Sequence, residues 1–186
     1  MSDQQVLLRE AMVQAALGGS ILAVTGECGA GKTEVRKGFL EYIHRNHPEI
    51  QVIEPMVINK KRLTPEMIFD AIAEDLNITN MPAGLERRAR KVDTALRRSV
   101  KAGNRHVLVI EEAHDLTNNV IKQLKRIWEL SDGFTRLISI ILIGQPELET
   151  ILAPSNYEVR EFARRCNMMK VYPLGHSITE YIAHKV

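Results

Sequence analysis

The octet GECGAGKT, Gly26 to Thr33, constrains this chain more than any other stretch. It fits the pattern G-x-x-x-x-G-K-[ST], which carries meaning when it stands between a buried strand and a helix. Both flanks are present: ILAVTG reads as a buried strand, and a helix is predicted from about Lys32 to Arg45. Glycines at such a junction let the backbone curl until its N–H groups and the helix N-terminus surround phosphate oxygens. The reading is a phosphate cradle of Gly26, Glu27, Cys28, Gly29, Ala30, Gly31, Lys32, Thr33 and Glu34. Lys32 is expected to reach the β- and γ-phosphates, and the Thr33 hydroxyl to hold Mg²⁺. Cys28 occupies a free position of the loop, and a redox role for it has little support.

Bulk properties narrow the setting. A chain of 186 residues has room for one substantial core, and 45% hydrophobic with 26% charged residues is ordinary for a folded domain. The beginning, MSDQQVLLRE, lacks the basic and apolar regions of an export signal, and LISIILIG is far too short to span a bilayer. Cys28 and Cys166 have neither a CxxC spacing nor companion histidines, so metal and disulfide frameworks are not expected. A cytoplasmic location follows as the expectation, with no membrane segment in this chain.

Helical and strand-like patterns alternate along the chain. A helix is predicted over Gln4–Leu17, a strand in QVIEPMVIN, and a helix in TPEMIFDAIAEDLN with Thr64 as N-cap and Pro65 in its first turn. Thereafter come a basic helix, a strand in HVLVI, a helix after Thr117, a strand in RLISIILIG, a helix over Tyr157–Arg165 and a last strand in MMKVYPL. Near-continuous apolar strands separated by helices imply an α/β fold, with a parallel sheet covered on both faces.

Charge is concentrated in one place. Between Gly84 and Arg105, eight Lys or Arg stand against two acids. Leu85, Ala89, Val92, Leu96 and Val100 form one apolar stripe there, and Arg87, Arg90, Lys91, Arg97, Arg98 and Lys101 cluster opposite it. Such a face either solvates a packed helix or contacts a phosphate backbone; the latter makes double-stranded DNA a candidate partner.

A cradle does not distinguish a hydrolase from a kinase, but VLVIEEAH does. The strand delivers Glu111 and Glu112 beside the loop, the first placed to hold Mg²⁺ and the second to orient and deprotonate a water. Gln145, ending the next strand, is placed to bond the γ-phosphate or that water; before Pro146 it also reads as a plain terminator. Arg160, Arg164 and Arg165 precede the last strand, where an arginine reaching a neighbouring subunit's γ-phosphate would stabilise transition-state charge.

With these motifs in order, the chain resembles the AAA+ ATPases, and within them the group that includes the phage Mu B transposition protein and the ExeA/GspA secretion ATPases. TGECGAGKTE, VLVIEEAHDL, and LIGQPEL followed by an arginine-containing segment and YPL carry the likeness over nearly the whole chain. The resemblance implies a P-loop NTPase with a RecA-like AAA+ core, its five-stranded parallel sheet ordered 5-1-4-3-2 with helices on both faces. It implies ATP and Mg²⁺ as ligands, a homo-oligomeric ring or filament, Gln145 as a sensor-like residue and Arg165 or Arg164 as the arginine finger. Glu111 stands where the family usually has Asp. Residues 1–175 are expected to form the nucleotide-binding core, and 176–186 the start of a truncated or absent helical lid.

The leading functional expectation is an ATP-dependent DNA-binding accessory factor of transposition, with a transposase as partner. An ATPase for assembly of a secretion machine is the alternative, and a nucleotide-gated module with little turnover a third.

Overall fold

In the computed structural model, residues 3–56 and 63–172 are described. The expected boundary at 175, the lid segment 176–186, the end of QVIEPMVIN and the Pro-Leu of MMKVYPL lie outside them. Five parallel strands form the sheet: β1 (Ile21–Gly26), β2 (Ile50–Ile53), β3 (Arg105–Ile110), β6 (Ser139–Gly144) and β7 (Cys166–Val171). Their order is β2-β3-β6-β1-β7, which is the expected 5-1-4-3-2 arrangement. β6 therefore lies between the strand that leads into the glycine loop and the strand that ends in Glu111.

Alternation along the strands explains why both faces are covered. Ile21 and Ala23 of β1, Leu108 and Ile110 of β3, and Ile140 and Leu142 of β6 point to one side. Leu22 and Val24, Val107 and Val109, and Ile141 and Ile143 point to the other. On the second side lie α1 (Asp3–Gly18) and α2 (Lys32–Asn46), which contribute Leu8, Met12, Phe39 and Ile43. On the first lie α3 (Pro65–Asp75), α4 (Leu85–Lys101) and α5 (Asn118–Glu129), through Ile68, Ile72, Val92, Leu96, Ile121 and Leu124. Phe39, Ile68 and Leu96 are fully buried, each such side chain stabilising the fold by about 1.5–3 kcal/mol.

The helix ends follow their sequence signals. Thr64 and Thr117 accept hydrogen bonds from Met67 N and Val120 N, which satisfies one orphan donor at the start of α3 and of α5. Two features differ from the sequence reading. A two-stranded hairpin, β4 (Ser131–Asp132) with β5 (Thr135–Arg136), turns at Gly133, whose φ of 61° suits a two-residue loop. The helix expected over Tyr157–Arg165 is reduced to turns and a four-residue α7 (Arg160–Ala163), and it is preceded by a short α6 (Glu147–Ile151) that the sequence reading did not include. Asn156 is the physical reason: its side-chain amide donates to Ile151 O and Asn118 Oδ1, holding the chain in turns before α7. Among the described residues no helix is long and apolar enough to cross a membrane.

Candidate nucleotide site

The glycine loop leaves the C-terminal end of β1, between β6 and the edge strand β7, on the strand-end side where ligands of open α/β folds gather. Register explains its surroundings: Thr25 is level with Gly144 of β6 and Gly26 with Val171 of β7. A Cβ at Gly26 would stand 2.6 Å from Val171 O, so only glycine lets β7 approach here. At Gly31, which begins α2, φ is 93°, a left-handed conformation that costs glycine little. No side chain caps that helix start, so its first N–H groups face the loop.

Lys32 folds back over the curl, its Nζ donating to Gly26 O at 2.6 Å and Glu27 O at 2.8 Å. Glu27, Cys28, Gly29, Thr33 and Glu34 are exposed and Ala30 is buried. An uncapped helix N-terminus with a lysine over it fits a polyphosphate. Beneath the loop the buried Thr25 hydroxyl donates to Glu149 Oε1 at 2.8 Å, and Glu149 pairs with Lys170 at 2.6 Å, joining β1, α6 and β7.

Two strands bring the remaining groups. β3 ends at Ile110, and Glu111 follows half-buried. Glu112 is exposed and left-handed, φ 52°, ψ 37°, before a single 3₁₀ turn at Ala113–Asp115. A non-glycine residue in that region carries local strain of about 1–3 kcal/mol, a recurrent mark of functional turns. Gln145 stands half-buried at the end of β6, between the loop and the two glutamates.

Sequence reasoning missed two residues here. Arg36, three positions after Thr33, lies between Glu54 beyond β2 and Glu111: Nη2 to Glu54 Oε1 is 2.6 Å, and Nε to Glu111 Oε2 is 3.4 Å. The longer arm of Glu111 is thus paired with a guanidinium. Nothing in the linear spacing marks this, because the three residues meet only through sheet order. His114 touches both Glu112 and Gln145, and its place in EEAH was the one visible hint. Among the described residues no group of three or more metal-binding side chains gathers, so a Mg²⁺ held by Thr33 and Glu111 would take its other ligands from phosphate and water.

Arg165 is engaged within its own chain, 3.4 Å from Glu129 and 3.8 Å from Glu161, with its guanidinium 5.9 Å from the Trp128 ring centre. Arg164 and Arg160 are exposed. On α4 the expected apolar stripe packs inward, but the basic face divides. Lys91 donates to Thr79 O and Asn80 O, and Arg97 pairs with Asp93 and Asp132, whereas Arg87, Arg90, Arg98 and Lys101 are exposed. Side chains that cap a loop or hold a hairpin are less available to a partner.

Comparison with known proteins matches residues 16–152, from the end of α1 to the start of the turns before α7, to the family described as AAA domain. The chain belongs to that family. Among curated proteins this AAA domain is 29% identical over 161 residues to General secretion pathway protein A of Aeromonas hydrophila, covering 86% of this chain and 28% of the relative. It thus spans under a third of that protein's length. Solved structures with the same fold include Cdc6p of Pyrobaculum aerophilum, with TM-score 0.62, 16% identity, and coverage of 89% of this chain and 45% of that one. The ORC2 protein of Aeropyrum pernix gives TM-score 0.65 at 11% identity, covering 91% and 46%. A chain of Drosophila ORC bound to DNA gives 0.59 at 12% identity, covering 97% and 95%.

Proposed function

We propose that the chain binds and hydrolyses ATP and uses the nucleotide state to switch its own assembly. The observation that carries this is the meeting of three strand ends: the Lys32 loop after β1, Gln145 after β6, and the left-handed Glu112 after β3. The backbone amides of the loop and α2 hold the phosphates, and Lys32 leaves its two carbonyl acceptors to neutralise them. Thr33 and Glu111 would hold a Mg²⁺, which when bound would supply charge neutralisation on the phosphate oxygens. Glu112 accepts a proton from the attacking water, and the Gln145 amide orients that water against the terminal phosphate. Arg164, exposed and outside the Glu129 pairs of its neighbour, is the better placed arginine to act on an adjoining subunit. Nucleotide affinity by fluorescence and phosphate release test the assignment. Lys32→Ala should lose binding, while Glu112→Gln keeps binding and loses turnover; a wild type that binds but does not turn over would favour the gated module.

For the process served, this chain's own residues favour DNA. Arg87, Arg90, Arg98 and Lys101 make an exposed basic face, and such residues supply non-specific affinity by neutralising phosphates. The setting is then an ATP-dependent accessory factor of transposition, as the likeness to the Mu B protein implies, working beside a transposase. A second reading, an ATPase for assembling a secretion machine, is favoured by the relative named General secretion pathway protein A. Duplex-DNA binding with and without ATP across a salt series separates them: no binding in either state removes the DNA reading.

A further inference from the structure

Glu112 and Gln145 follow neighbouring strands, and one side chain spans the space between them. The Gln145 backbone N–H donates to His114 Nδ1 at 3.2 Å, and Nε2 of the same ring faces Glu112 Oε2 at 3.5 Å. The ring is well shielded, with 14% of the side chain exposed, and it belongs to the 3₁₀ turn that packs on β6 and α6. Because the Gln145 N–H takes the Nδ1 lone pair, the neutral ring carries its proton on Nε2, the atom aimed at the carboxylate. One end of the imidazole is thus tied to a main-chain position and the other presents a donor to Glu112.

We infer that His114 is a positioning residue that couples Glu112 to the Gln145 end of β6. This rests on the roles given to Glu112 and Gln145 above. Glu112 sits in a left-handed turn with an exposed side chain, so its backbone alone does not fix where the carboxylate lies. The Nε2–Oε2 separation exceeds the usual 2.7–3.2 Å of such a bond, so in this structure the pair is a long polar contact. On this inference, a triphosphate engaged at the Gln145 end of β6 would shorten the His114–Glu112 contact and draw Glu112 into line, and a diphosphate would leave the contact long.

Two substitutions separate the halves of the bridge. His114→Asn keeps an acceptor near the Nδ1 position but is too short for Glu112; His114→Gln places an amide donor near Nε2 but lacks that acceptor. Both are expected to lower kcat roughly 10- to 100-fold, the scale of a small misplacement of a catalytic group, with KM and nucleotide affinity within about twofold of wild type. Thermal midpoints measured alongside identify a merely structural effect, in which turnover falls only as far as stability does. In wild type, the ¹⁵N resonance of His114 Nε2 should differ between a non-hydrolysable ATP analogue and ADP. Wild-type kcat in both variants, a loss tracking stability alone, or identical resonances with the two nucleotides overturns the coupling while leaving the hydrolase reading in place. Turnover that survives Glu112→Gln overturns both.

Discussion

Arg36 Nε lies 3.4 Å from Glu111 Oε2 while its Nη2 lies 2.6 Å from Glu54 Oε1, so one guanidinium on α2 ties together the ends of β2 and β3. This cross-link ties the Glu111 carboxylate to α2, the helix that follows the phosphate loop, and its strength is measurable. All three side chains are partly shielded, whereas the Glu34–Lys37 pair on the same helix is well exposed. A double-mutant cycle of Arg36→Gln and Glu54→Gln in urea unfolding should give a coupling of about 1 kcal/mol, and the Glu34–Lys37 cycle no more than about 0.3 kcal/mol. Equal couplings would refute the difference.

The two neighbouring arginines should behave differently. Arg165→Ala removes the ion pairs to Glu129 and Glu161 and is expected to destabilise the monomer by about 1 kcal/mol. Arg164→Ala should leave stability unchanged and lower turnover only at protein concentrations where subunits associate. Thermal melts and a concentration series of phosphate release distinguish the two.

On α4, charge reversal at Arg98 and Lys101 tests the exposed basic face. Weaker DNA binding is expected, with the slope of log K against log[salt] becoming shallower by about 0.9 for each phosphate that the variant no longer neutralises. Arg97→Glu should instead reduce stability, since Arg97 holds Asp93 and the hairpin residue Asp132. An unchanged slope in the double reversal would exclude α4 as a DNA-binding face.

His106 adds a pH dependence. Burial pushes its pKa below the usual 6.5, and the neutral ring donates from Nδ1 to Leu137 O while accepting at Nε2 from the Ser99 hydroxyl. Below pH 6.5 the unfolded chain binds a proton that the folded chain resists, so this contribution is present above that pH and lost as pH falls. The loss is at most about 1.4 kcal/mol per pH unit, and His106→Gln should flatten it. Unfolding free energies compared at about pH 7.5 and about pH 5.5 read the effect.

The two thiols should also part company. Cys28 is exposed on the glycine loop, while burial drives Cys166 up to about 12. A thiol reagent at neutral pH should modify Cys28 and spare Cys166. Protection of Cys28 by added ATP would place nucleotide on the loop, and no protection would count against it.

Local chemistry alone made much of this molecule legible. The glycine loop, the Thr64 and Thr117 caps, and the inward stripe Leu85–Val100 could be read from spacing because each depends on neighbours a few residues away. Strand order came through the ordered set of motifs, and the sheet has that order. The hairpin at Gly133 and the shortened α7 escaped, since two-residue strands and a turn held by Asn156 leave no periodic pattern. Tertiary structure decided which charges are engaged. Arg36 meets Glu54 and Glu111, Arg165 meets Glu129, Arg97 meets Asp132, and His114 bridges Glu112 and Gln145. Each joins segments distant in the chain or across a turn. Sequence sets which groups are charged and which face of a helix they occupy; only the packing of strands beside one another brings them within the few ångströms at which charges and hydrogen bonds act.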